Sequence, residues 1–227
     1  MIIQTLAFDS QLFGYPVGKF QADKETNWDS FLEKAKPYQL IYVFSDSEIP
    51  NPPDFLRFVN SKYVFGKKLT EVRKEKKAEL TIEPYSGALS DKLLDLALQS
   101  GEYSRFKTDP RLSSGEYEKL YRLWIEKALL EDMVLVDSSH SGLVTLSVSD
   151  HIASIGLIAV DVKGRGLGIG KALLRAAEEK AITLGAIDMK ISTQGENRAA
   201  VQFYKVNDYQ LMESSMNYHF FNVNKLP

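Results

Sequence analysis

The stretch Gly164-Arg165-Gly166-Leu167-Gly168-Ile169-Gly170-Lys171 constrains this chain more than any other, because glycine occupies every second position through Gly170. An apolar run from Ile152 to Val160 precedes it and reads as a strand. A helical pattern follows to about Leu184 and stops at Gly185. A strand, a glycine turn and a helix start make an anion site. The first N–H groups of a helix lack intrahelical partners, and the helix dipole favours negative charge there. Glycine lets that backbone approach a pyrophosphate closely, and Arg165 adds a cation.

Two nucleotide patterns fail on this turn. A P-loop needs Gly-Lys followed by Ser or Thr, but Gly170-Lys171 precedes Ala172, and Arg165 stands where the first glycine belongs. The GxGxxG pattern meets Ile169 at its third position when counted from Gly164, and Lys171 when counted from Gly166. A connection that serves only tight strand–helix packing is the bland alternative.

Composition narrows the chemistry. The chain has no cysteine, which excludes disulfides, thiolate metal sites and an acyl-cysteine relay. A net charge of −2 gives no electrostatic reason to expect nucleic acid or an anionic membrane as partner. No apolar run approaches the roughly 20 residues of a membrane span, and no secretion signal opens the sequence, so a cytoplasmic protein is expected. His140 and His219 lack metal-ligand spacing to other donors, and no metal is assigned.

In the N-terminal third, strands are expected over Val17–Gln21, Leu40–Phe44 and Tyr63–Thr70. Helices are expected over Trp28–Ala35, capped by Asn27, and from Pro52-Pro53 to Asn60. The charged run Arg73–Lys77 reads as a solvated strand end or linker. It suggests a small α/β domain over residues 1–76 and a larger one over 77–227. The second part reads as a strand (Glu79–Glu83), two helices (Asp91–Gln99 and from Ser113 or Ser114 to Leu130) and three strands (Met133–Val136, Gly142–Val148, Ile152–Val160). After the glycine turn and its helix come a strand (Asp188–Thr193), a helix from Asn197 through Val206 and a strand (Met216–Phe221).

The pattern Arg165-x-x-Gly168-x-Gly170, with Asn197-Arg198-Ala199-Ala200 and Phe203-Tyr204 further on, resembles the GNAT (GCN5-related N-acetyltransferase) superfamily. The order of elements from about Lys77 agrees. The resemblance implies an α/β (α+β) fold with a central mixed, mostly antiparallel sheet flanked by helices. It also implies acetyl-CoA as acyl donor and direct transfer to an amine. Carried over position by position, Ile158, Ala159 and Val160 pair with the pantetheine arm. Arg165, Gly166, Leu167, Gly168, Ile169, Gly170 and Lys171 cradle the pyrophosphate, Asn197 contacts the arm, and Tyr204 is the general acid. Lys205 is a further candidate contact. The family's usual Gly-Phe after that helix is Asp208-Tyr209 here. Asn197 also reads as an ordinary helix cap, and Tyr204 as a core aromatic. Glu102, Asp109, Asp150 and His151 are candidate bases by residue type alone, with a water relay as the alternative.

The acceptor is read from other segments. Leu6 to Gly14, Ser104-Arg105-Phe106 and Leu120 to Glu126 resemble those members of the family that acetylate the 4-amino group of a nucleotide-linked deoxy sugar. In this reading Arg105 meets a diphosphate by bidentate hydrogen bonds, and Phe106 or Tyr103 packs on the sugar or base; a surface salt bridge for Arg105 and core packing for Phe106 are the plain alternatives. A peptide N-terminus or another small amine remains open, as does a non-catalytic acyl-CoA sensor. The final strand is a candidate for pairing two chains into a homodimer.

Overall fold

The computed structural model describes residues 1–69 and 80–222. The charged run Arg73–Lys77 and the division between residues 76 and 77 therefore lie outside the described residues. In chain order the elements are β1 (Gln4–Thr5), α1 (Ala7–Phe13), β2 (Val17–Ala22), α2 (Trp28–Ala35), β3 (Leu40–Ser45) and β4 (Leu56–Lys68). Then come β5 (Ile82–Pro84), α3 (Asp91–Ser100), α4 (Arg105–Thr108), α5 (Ser114–Leu130), β6 (Val134–Asp137), β7 (Gly142–Ser149) and β8 (Ile152–Val160). The last are α6 (Ile169–Thr183), β9 (Asp188–Gln194), α7 (Arg198–Val206) and β10 (Gln210–Phe221).

All ten strands form one sheet in the order β1-β2-β3-β10-β4-β9-β8-β7-β6-β5. The pairs β2–β3 and β8–β9 are parallel; the others are antiparallel. The fold is thus α/β with a mixed sheet. Strands from both sides of the expected division interleave, because β4 lies between β10 and β9.

Helix ends follow their sequence signals. Asn27 Oδ1 accepts from Ser30 N at 2.9 Å and starts α2. Ser113 and Glu116 close a capping box at the head of α5, satisfying two orphan donors reciprocally. Apolar residues then alternate across the strands to supply both faces of the sheet. Tyr42, Leu143 and Leu157 join the cluster under α1, α3, α4 and α5, whereas Val144 and Ile191 join the one under α6 and α7. Ile41 and Val43 point to a third cluster under α2. Each fully buried Leu, Ile or Phe contributes about 1.5–3 kcal/mol relative to an exposed one.

Two expectations need correction. The segment from Pro52 to Asn60 is not a helix: a turn leads into β4 at Leu56, which runs on through Lys68. Its neighbours on both sides supply ladder partners from Leu56 to Lys68, and that tertiary pairing overrides a proline-led helix start. The final strand expected over Met216–Phe221 offers no free edge to a second chain either, whereas Gln210 to Ser215, which extend β10, pair with β4 alone. From Met216 to Phe221 it is paired with β3 on one side and, to Phe220, with β4 on the other.

Candidate active site

The site begins where two parallel strands part. β8 and β9 pair from Ile152 with Asp188 to Ile155 with Ile191, and no further. Beyond that row β8 follows β7, with Ile158, Ala159 and Val160 opposite Val144, Leu143 and Gly142. β9 follows β4 instead, with Thr193 opposite Tyr63 and Gln194 opposite Lys62. An irregularity between Val144 and Leu146 turns β8 aside. There Leu157 N donates to the side-chain oxygen of Thr145 at 2.9 Å rather than to a carbonyl. From Gly156 to Val160 the edge of β8 that faces β9 has no strand partner. Such an edge is a template for an extended, amide-bearing arm.

The glycine turn closes the mouth of this split. Asp161 Oδ1 accepts from Lys163 N at 2.9 Å and shapes a short 3-10 turn over Val162–Gly164. Gly166 and Gly168 have φ of 80° and 85°, a left-handed backbone that side chains rarely adopt. Gly168 is the N-cap of α6, and no side chain caps it. The first turn of α6 carries no acidic residue, and N–H groups at such a helix start suit an anion. A Cβ on Gly170 would lie 3.6 Å from the Phe203 ring and 3.7 Å from Val160. This is a close meeting of the α6 head, α7 and the end of β8. The Arg165 guanidinium folds back over that end, with Nε donating to Val160 O at 3.0 Å and Nη2 reaching Gln99 on α3 at 3.4 Å.

Asn197 caps α7, its Oδ1 accepting from Ala200 N at 3.1 Å. Tyr204 is 3% exposed and packs against the rings of Phe65, Phe203 and Tyr209. Burial pushes its hydroxyl above the usual tyrosine value, so it stays protonated at neutral pH. Lys205 is exposed on the same helix. Asp208 takes a left-handed φ of 67°, the conformation that glycine usually supplies after such a helix. Tyr209 is buried beside it, its hydroxyl donating to Glu178 at 2.9 Å.

The base candidates separate in space. Asp150 and His151 sit in the turn before β8, at the far end of that strand from Val160, and Glu102 is exposed. Asp109 is 1% exposed and partnered by residues that the sequence did not single out together. Its Oδ2 lies 2.7 Å from His219 Nδ1, and Arg111 donates to it through Nε at 3.0 Å and Nη2 at 2.8 Å. These hydrogen bonds outweigh the cost of burial and hold the Asp109 carboxyl well below the usual range. His219 moves the other way, lowered to about 4 chiefly by burial. Its imidazole is neutral at pH 7, and its Nε2 is enclosed without a partner among the described residues.

Arg105 lies over the same floor. Its guanidinium sits 4.6 Å from the Tyr42 and Phe106 ring centres and 5.6 Å from that of Phe44. Its Nε is enclosed and unpartnered, and burial lowers its affinity for its proton, while Tyr42 and Asp9 raise it. Phe106 is a core residue, 6% exposed and packed against Phe13, Tyr42 and Trp124. Tyr42, Phe44, Asn60 and Asn217 complete the floor; only strand pairing brings them together, and no local motif marks them. Among the described residues no cluster of His, Cys, Asp and Glu could hold a metal ion, and no helix is long and apolar enough to cross a membrane.

Residues 92–209 match the family model described as acetyltransferase (GNAT) family, and the chain belongs to that family. It is an acyltransferase of the class that moves acetyl from acetyl-CoA to an amine. No curated protein matches the sequence. Among solved structures, a functionally unknown conserved protein from Staphylococcus epidermidis is 12% identical with a TM-score of 0.64, covering 95% of this chain and 89% of that one. A GCN5-related N-acetyltransferase from Sphaerobacter thermophilus is 15% identical with a TM-score of 0.53, covering 84% and 63%. A glucosamine N-acetyltransferase region of a fungal multi-domain GH3 β-N-acetylglucosaminidase is 12% identical with a TM-score of 0.56, covering 96% and 31%. At these identities the likeness is one of fold.

Proposed function

We propose that the chain transfers acetyl from acetyl-CoA to the 4-amino group of a nucleotide-linked deoxy sugar, as dTDP-fucosamine acetyltransferase does. Support for the donor side comes from the β8–β9 split with its uncapped glycine turn. Ile158, Ala159 and Val160 offer the unpaired strand edge to the pantetheine arm. The turn from Arg165 through Gly170, with Lys171 in the first turn of α6, receives the pyrophosphate. Asn197 and Lys205 flank the arm from α7. Acetyl-CoA supplies an activated thioester when bound. The departing thiolate, with a pKa of roughly 8.5, needs a proton, and Tyr204 holds one at neutral pH. Backbone N–H groups at the splayed end of β8 face the place where negative charge develops.

The single observation that carries the acceptor class is Arg105, a guanidinium stacked on aromatic rings with an enclosed, unpartnered Nε. Such a group matches a diphosphate. An amino-sugar acceptor also has precedent on this fold in the fungal glucosamine N-acetyltransferase region. The test is incubation with acetyl-CoA and a dTDP-4-amino sugar, following free thiol. Release that depends on both substrates is expected. Background release with this sugar, alongside turnover of a peptide or simple amine, would overturn the assignment.

A further inference from the structure

The acceptor reading above leaves open how the far end of the acceptor is held, and the inference here rests on that reading. Cross-strand partners share a face of the sheet, as do residues two apart on one strand. By that rule a polar band crosses the face on which Arg105 lies. Arg105 stands over Tyr42 and Phe44, whose partners on β10 are His219 and Asn217. Asn217 is opposite Asn60 on β4 and donates to it at 2.8 Å, leaving its own Oδ1 enclosed and unpartnered. In the next row Ser215 is opposite Lys62, and Lys62 is opposite Gln194, the last residue of β9 at the lip of the split. A space of about 300 Å³ opens beside this row, lined by Asp46, Lys62, Val64, Glu213, Ser214 and Ser215.

The charges in this band do not balance locally. Among the described residues, no carboxylate lies within ion-pair distance of Arg105 or Lys62. The nearby carboxylates are engaged: Asp46 accepts from Gln21 at 3.2 Å, and Glu213 lies 4.0 Å from Lys190. The Lys62 ammonium is held below its usual value by partial desolvation and then by Arg105 itself, against a smaller opposing pull from Glu213. Glu213 offsets only part of the repulsion that Lys62 feels, and like charges left partly unbalanced cost stability. That cost is relieved when a ligand brings the anion.

We propose that Arg105 and Lys62 form a subsite for a phosphate-type oxyanion on the acceptor, with Ser215 as polar floor. Two cations suit a group with more than one negative charge, which a single carboxylate lacks. Adjacent strands are about 4.8 Å apart, so Lys62 sits about one strand spacing from the lip at Gln194. A single sugar ring spans that gap, with its phosphate at one end and its amine over the split at the other.

The test uses inorganic pyrophosphate, titrated calorimetrically into the full chain already saturated with coenzyme A, so that the glycine turn is filled. Binding is expected, weakened at least tenfold in Lys62→Met, with coenzyme affinity unchanged in that variant. Lys62 is exposed, so this variant is expected to fold; Arg105→Lys serves as the second variant and should also weaken binding. Pyrophosphate that binds only in the absence of coenzyme, or equally well to Lys62→Met, overturns the subsite. Equal KM values for an amino sugar and its phosphate-bearing counterpart overturn it as well, while leaving acetyl transfer standing. Conversely, pyrophosphate binding as expected with no thiol release from any amine supports the subsite and overturns the transferase reading.

Discussion

At Tyr204 the sequence offers two roles, a proton donor or a core ring; the structure shows the core ring, packed against Phe65, Phe203 and Tyr209, and the proton donor is the role proposed for it. It is buried among aromatic rings and keeps its proton. General acids contribute roughly 10²–10⁴-fold, so Tyr204→Phe is expected to lower kcat by about 100-fold while coenzyme affinity changes less than about twofold. Unchanged kcat would remove Tyr204 from the mechanism. His219 makes a separate prediction about stability. The unfolded chain takes up its proton near pH 6.5, the folded chain near 4, chiefly because of burial beside Arg105 and Arg111 and despite Asp109. His219 therefore contributes full stability above pH 6.5. As the pH falls from 6.5 towards 4, only the unfolded state binds the proton, and stability drops by about 3 kcal/mol. His219→Gln should flatten that part of a plot of unfolding free energy against pH. A slope identical to wild type would mean that another group titrates.

Among the elements, the glycine turn separates two uses of the same residue. Gly168 has a φ of 85°, and alanine there is strained by about 1 kcal/mol or more whatever the space. Gly170 lies inside α6 with ordinary contact distances for an added Cβ. Gly168→Ala should weaken coenzyme binding at least tenfold, whereas Gly170→Ala should fold and bind within about threefold of wild type by calorimetry. Elements with local signals were legible beforehand: α2 behind Asn27, α5 behind Ser113, α7 behind Asn197 and β8 before the turn. β4 was legible only in its second half, from Tyr63, because Pro52-Pro53 suggests a helix start and only the pairing with β10 reveals the strand from Leu56. The residues proposed for the donor side were legible as two short motifs for the same reason. Of the proposed acceptor side Arg105 was singled out for that role in the sequence but Tyr42, Lys62 and His219 were not, because they lie far from it along the chain and come near it only across strands and a loop.

The whole molecule depends on that non-local pairing. β4 supplies ladder partners to β9 on one side and to β10 on the other, and β3 covers the rest of β10. The sequence division at residues 76 and 77 thus separates strands that complete one another's hydrogen bonding. A chain beginning at residue 80 would bare one edge of β9 and strip β10 of its neighbours. It would also lack Tyr42, Phe44 and Lys62 from the proposed acceptor floor, while keeping the glycine turn and α7. Exposed apolar edges of that length pair with other chains. The fragment is expected to aggregate or to show little ordered structure by circular dichroism, and the full chain to unfold in one cooperative step seen alike by fluorescence and circular dichroism. A soluble, folded fragment that binds coenzyme A would show instead that residues 1–76 and 77–227 are separate folding units. In that case the first would serve the acceptor alone.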